Sequence, residues 1–200
     1  MAQRLTDHAA LKRTALIVAL LNLGYFGIEA TVALAIASVS LLADSVDFLE
    51  DATVNLLVLA ALGWSASRRR MAGIVLAGLL LVPGIAALWS AAEKLMSVAP
   101  VVPAPVPLTL TGLGALAVNA TAALLLARVR DHGGSLSLAA FLSARNDVIA
   151  NVAIIAAGFA TAALQSIWPD LVVGIAIALL NLGAAREVFE AATEPGELRA

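Results

Sequence analysis

A chain of 200 residues that is 62% hydrophobic and only 13% charged carries far more apolar surface than the roughly 45–50% of a soluble domain. So short a chain cannot hide that surface in a core of its own, which excludes a soluble globular fold and makes the bilayer the solvent. The absence of cysteine excludes disulfides and thiolate metal sites, and a net charge of −2 matters less than where the charges lie.

The expected fold is an all-α membrane protein, a six-transmembrane-helix bundle with both termini cytoplasmic. A span needs about 20 predominantly apolar residues, and six stretches qualify: near 14–36, 40–63, 71–93, 108–127, 137–162 and 170–189. The N-terminal "MAQRLTDHAALKRTALIVALL" lacks a small-residue cleavage site soon after a short apolar stretch, so it reads as a retained first span. "SRRR" at 67–70 and "RVRDHGGS" at 128–135 are short connectors. "SVAPVVPAPVP" at 97–107 reads as an extended, proline-rich link. Arg4, Lys12, Arg13, Arg68 to Arg70, Arg128, Arg130, Arg186 and Arg199 all fall on one side of this arrangement, and only Lys94 falls on the other. The positive-inside rule makes the basic side cytoplasmic. Nothing of domain size lies outside the spans, so one membrane domain over 1–200 with no soluble C-terminal domain is expected.

The second span carries the unusual chemistry. "LLADSVDFLEDATVNLL" at 41–57 holds Asp44, Asp47, Glu50 and Asp51 among leucine, valine and alanine. A membrane segment accepts ionisable groups only when they face a partner, a cavity or an ion. Asp44, Asp47, Asp51 and Asn55 share one helical face by their spacing, whereas Glu50 points elsewhere. The Asp47 and Asp51 pair forms the centre of that seam, and Asp44, nearest the end of the span, reads as structural. In the fifth span Ser143, Asp147 and Asn151 recur every fourth residue. Carboxylates from two antiparallel spans facing each other repel unless protons or a cation lie between them. A divalent cation resolves that repulsion, and aspartate oxygens suit zinc, manganese, iron, cobalt or cadmium.

These stretches, with "ALLNLGYFGIEA" before them and "NDVIANVAIIAAG" after, resemble the cation diffusion facilitator family over essentially the whole chain. The resemblance implies six spans, cytoplasmic termini and export of divalent metal, usually zinc, commonly by proton antiport. It also implies a transport site of two residues four apart on span two, matched by Asp47 and Asp51, and two more on span five. There Asp147 matches the family's aspartate and Ser143 stands where a histidine is usual. "WPDLVVG" with Asp170 fits the family pattern as well. The sequence departs from the family in that serine, and the family's cytoplasmic metal-binding domain is expected to be missing after Ala200. Water, Asn151, Asn55 and Ser143 are the candidates for a fourth ligand, so the expected metal residues are Asp47, Asp51, Asp147, Ser143 and Asn151.

The expected function is therefore efflux of a divalent cation, zinc foremost, from the cytoplasm across the cell (inner) membrane. The expected partners are the lipid bilayer, metal ions, protons and a second copy of the chain, and no nucleic acid. No prosthetic group and no enzymatic activity are expected, and no GxxxxGK[ST] loop for a built-in ATPase is present. The rivals are a membrane scaffold that keeps the fold without transport and an intramembrane aspartate protease.

The remaining polar residues have plainer readings. His8 and His132 are solvated. Arg145 pairs with Glu29 or Glu50 between helices, or snorkels to the surface. Asn22, Glu29, Asn119 and Asn181 hydrogen-bond within the bundle. Pro83 kinks or breaks span three. Gly73, Ala77 and Gly78 let a helix, or a second copy, approach that span. Trp64, Trp89 and Trp168 lie at span ends, as interfacial aromatics do.

Overall fold

The computed structural model describes residues 2–60, 66–129 and 134–193, with side chains described over 12–56, 84–129, 144–183 and at a few other positions. Its six helices are α1 (Ala2–Ile36), α2 (Val39–Ala60), α3 (Ala66–Met96), α4 (Pro105–Ala127), α5 (Gly134–Leu164) and α6 (Trp168–Thr193), and no strand occurs among the described residues. Each predicted span has its helix. Length and composition alone qualify three stretches as membrane-crossing: Lys12–Ile36, Pro105–Ala127 and Ala144–Leu164, with Trp168–Gly183 as a shorter apolar helix. α2 does not qualify, because all four acids fall within its 22 residues.

That helix is tolerated in lipid because it does not meet lipid over its acidic half. α2 touches each of the other five helices, and residues 38–46 are all buried. Leu41, Leu42 and Ala43 form the apolar centre with Ala33, Ala87, Leu108, Ile154, Ile177 and Ala178, so every helix contributes. Large apolar side chains such as Leu34, Leu124, Phe159 and Leu180 point outward instead. Hydrocarbon covers the bundle, and the bundle covers α2.

The turn from α1 into α2 is two residues long. Ala37 takes a left-handed backbone (φ 52°), and the Ser38 N–H reaches back to the Ala33 carbonyl at 2.9 Å, as in a helix C-cap of the Schellman type. This leaves the first N–H groups of α2 buried and in need of acceptors. Asp170 of α6 supplies them. It accepts from the backbone N–H groups of Val39 (2.9 Å) and Ser40 (3.1 Å), from the Ser38 and Ser40 hydroxyls (2.6 and 2.7 Å), and from Lys94 Nζ (3.2 Å). Lys94 also donates to the Ala37 carbonyl. The lysine on the sparsely charged side of the sequence is thus a buried partner of an acid, and adds no exposed charge to that side. Gly174, one turn beyond Asp170, permits the approach: a Cβ there would lie 2.6 Å from the Ser40 nitrogen and the Val39 carbonyl carbon.

Several expectations change here. The link between α3 and α4 ends sooner than the prolines suggested, because α4 starts at Pro105 with Ala104 as its N-cap. Pro105 and Pro107 lie in the first turn, where a missing N–H costs nothing. α3 runs unbroken through Pro83, so proline does not end it; only one backbone bond is lost. The Arg145 side chain is exposed and meets Asn146 Oδ1 at 3.4 Å, rather than Glu29 or Glu50, because it lies on the outer face of α5. Gly78 is exposed and has nothing within 4 Å of its Cβ position among the described residues. Trp89 and Trp168 are exposed. Trp64 and His132 lie outside the described residues, as do the side chains of His8, Arg68 to Arg70, Gly73, Ala77 and Ser143.

Asp170→Asn would leave the Lys94 ammonium buried without its counter-charge, and breaking such a pair from one side costs about 3–5 kcal/mol. Thermal unfolding in detergent micelles should show a melting temperature lowered by many degrees; an unchanged value would remove Asp170 as the anchor of α2.

Candidate functional site

α1 and α2 run antiparallel from the Ala37 turn, so residues two turns apart on one helix meet residues two turns apart on the other. This produces two polar layers. In the layer nearer the turn, Glu29 faces Asp44; in the deeper one, Asn22 faces Asp51. Seven residues separate the layers on each helix, about 10 Å along the axis.

In the deeper layer Asp51 is 4% exposed. It accepts from Asn22 Nδ2 at 3.3 Å, and the Asp51 and Asp147 carboxyl groups meet at hydrogen-bonding range. Asp147 Oδ2 is buried, and no donor reaches it among the described residues. Asn55 gives its amide to the Asp51 backbone carbonyl at 2.8 Å, a bond within its own helix that leaves it turned from the acids.

Asp47 opens onto a cleft of about 220 Å³ between α2, α5 and α6, lined also by Glu50, Asn146, Asp147, Ala150, Ile177, Leu180 and Asn181. Glu50 therefore does not point elsewhere, as its angle from Asp51 suggested. It lies three residues from Asp47, and that spacing puts both on the cleft side of α2. Asn181, which donates to the Ala43 carbonyl at 3.0 Å, holds α6 against α2 at the cleft wall. The cleft thus has three carboxyl groups and two amides around it.

Asn151, expected as a ligand, is committed elsewhere. Its Nδ2 donates to Asp44 Oδ2 at 2.7 Å, and its Oδ1 accepts from Asn119 Nδ2 at 3.0 Å. Both ends of the amide are used, and they serve the outer layer. Ser143 lies one turn from Asp147 in the other direction along α5. Asp47, Asp51 and Asp147 are not gathered into a preformed cage. Among the described residues no three Asp, Glu or His side chains come close enough to hold a metal ion. What the structure joins is Asp51 with Asp147 across α2 and α5, and Asp47 with Asp147 across the cleft.

Asn22, Glu29, Glu50 and Asn146 are the site residues that spacing did not single out, and Asp44 was on the seam but read as structural. Glu50 had a signal in its i, i+3 relation to Asp47. Asn22 and Glu29 had one in sharing the seven-residue interval of Asp44 and Asp51.

Chemically, two carboxyl groups pressed together beside a third form a place of concentrated negative potential in low dielectric. Unit charges about 4 Å apart repel by about 4 kcal/mol at an effective dielectric of 20. A proton or a cation relieves that repulsion, and the oxygen-only donor set suits a hard or borderline divalent ion.

A family model for the cation efflux transmembrane domain matches residues 15–194, from within α1 to the end of α6. A comparison with curated proteins gave no match.

If the Asp51–Asp147 contact stores repulsion, Asp147→Asn should stabilise the metal-free protein by about 1–2 kcal/mol, or several degrees. The gain should be largest at alkaline pH and should shrink as the pH falls and protons relieve the pair. Melting curves in chelator across pH test this; a variant less stable at every pH would contradict it.

Proposed function

The chain belongs to the cation efflux family, and on that premise we propose that it exports a divalent metal ion from the cytoplasm in exchange for protons, by alternating access. The observation that carries the proposal is the meeting of Asp51 and Asp147 from two different helices beside an acid-lined cleft. The ion enters the cleft past Glu50 and Asp47, and is held by Asp47, Asp51 and Asp147. Ser143 and water complete its shell. Asn22 steadies Asp51 from α1.

Binding is drawn by the repulsion among the acids themselves. Closing three carboxylates onto one doubly charged ion removes like-charge contacts and replaces them with oxygen–metal bonds. The ligands must be deprotonated to bind, so protons and metal compete for the same oxygens, and a proton supply on the outer side drives release. No covalent bond is made or broken in this cycle. Zinc is the first candidate, with cadmium, manganese, iron and cobalt behind it, because carboxylate and hydroxyl oxygens discriminate weakly among these ions. The reading places the chain in the cell (inner) membrane with both termini cytoplasmic. A homodimer contact at α3 accords with the open surface at Gly78.

Vesicles reconstituted with the protein and given an acidic lumen should accumulate zinc faster than vesicles without a pH gradient, and Asp51→Ala should reduce uptake to background. Equal rates with and without the gradient would end the exchange reading. Uptake retained by Asp51→Ala would remove this aspartate from the site, and absence of zinc uptake by the unaltered protein, with no other divalent ion moved, would favour the scaffold.

A further inference from the structure

Glu29 and Asp44 are completely buried and belong to none of the steps above. Their carboxyl groups meet at hydrogen-bonding range, yet no N–H or O–H donor reaches either Glu29 oxygen or Asp44 Oδ1 among the described residues. Only Asp44 Oδ2 is served, by the Asn151 amide at 2.7 Å. The titratable groups facing the pair are Tyr25 on α1, Asp47 on α2 and Asp147 on α5. α4 presents Asn119, and the Tyr25 hydroxyl is already spent on the Thr111 carbonyl at 2.6 Å. Lys94, the buried cation among the described residues, is held by Asp170.

Two ionised carboxylates in contact, sealed from water and without a cation, are unfavourable enough that a proton must sit between them. That proton converts repulsion into a short O–H···O⁻ bond. The donor from Asn151 marks which partner stays charged: an amide N–H gains most from an ionised acceptor, so Asp44 keeps the charge and Glu29 the proton. A divalent ion is the poorer occupant, because no third acid or histidine joins the pair among the described residues.

We propose that Glu29 and Asp44 form a proton site separate from the metal-binding acids, and that its proton is among those exchanged for metal. The second half rests on the exchange reading above. Its structural basis is α5, where Asn151 and Asp147 lie one turn apart on the same face. A movement that withdraws Asp147 from Asp51 also withdraws Asn151 from Asp44. Asp44 then loses the donor that favoured its charge, and the pair takes up a second proton, which returning α5 expels. Metal occupancy and proton occupancy are linked through one helix.

The test counts protons moved per zinc ion, using a lumenal pH dye and zinc flux in vesicles holding the full chain. Asp44→Asn, which removes the carboxylate that takes up the second proton, should move one proton fewer per zinc than the unaltered protein. In infrared spectra at neutral pH the carbonyl stretch of protonated carboxylic acids should be present in the unaltered protein, and Glu29→Gln should lose one component of it that Asp51→Asn retains. An unchanged ratio in Asp44→Asn, or an infrared band unchanged in Glu29→Gln, overturns the proton site while leaving metal exchange intact. If the unaltered protein moves zinc without protons, the exchange reading falls and takes the transported proton with it. Should Glu29→Gln fold poorly, Asp44→Asn carries the test alone: the Glu29 band should remain while the ratio falls by one. A ratio that stays the same there is equally fatal.

Discussion

A carboxylate can exist at the depth of hydrocarbon only where protein surrounds it and something answers its charge. In this protein that requirement is met by position: α2 is wrapped by the five other helices, so its acids face amides, other acids and a cleft, and not lipid. The arrangement depends on a tight entry into α2. The two-residue turn at Ala37 exposes N–H groups that only a buried acceptor can satisfy, and Asp170 reaches them because Gly174 lets α6 lie against the α2 backbone. An ion pair with Lys94 then neutralises Asp170. With that end fixed, the depth of every acid on α2 follows.

The polar interior is consequently layered. The anchor of Asp170 lies at the turn, the Glu29–Asp44 pair with its Asn151–Asn119 extension lies below it, and the Asn22–Asp51–Asp147 group lies deeper, next to the cleft. The deepest group lies on the cleft, and there acids from α2 and α5 meet. α5 contributes to both lower layers through residues one turn apart. A displacement of this helix therefore changes the surroundings of a carboxyl pair in each layer at once. On the proposed exchange, coupling between the two ions takes this physical form: one rigid element with a contact in each site.

Much of this was legible in the sequence. Apolar length gave six helices in the right places, and the four-residue spacing of Asp47 with Asp51 and of Ser143 with Asp147 singled out the two helices whose acids meet. Helical spacing defines a face, however, and not the neighbour that face will meet. The seam of Asp44, Asp47 and Asp51 looks continuous on paper; in the bundle it divides among Glu29 and Asn151, the cleft, and Asn22 with Asp147. Asn151 was assigned to the metal because it shares a face with Asp147, but α2 crosses α5 so that Asp44 meets it first. The Lys94–Asp170 pair joins residues 76 apart, a closure that no local pattern reports. Lys94 was readable only as a lone positive charge on the wrong side.

The central claim is that a doubly charged ion is held within the bundle by carboxylate and hydroxyl oxygens of α2 and α5, without imidazole or sulfur. X-ray absorption at the zinc edge, on purified protein loaded with one equivalent of zinc, tests it most directly. The account predicts a first shell of oxygens at about 2.0–2.2 Å, distinct from that of the aqueous ion and lost on Asp51→Ala. A spectrum carrying the outer-shell signature of histidine rings, from His8 or His132, or one that matches zinc in buffer, would contradict it.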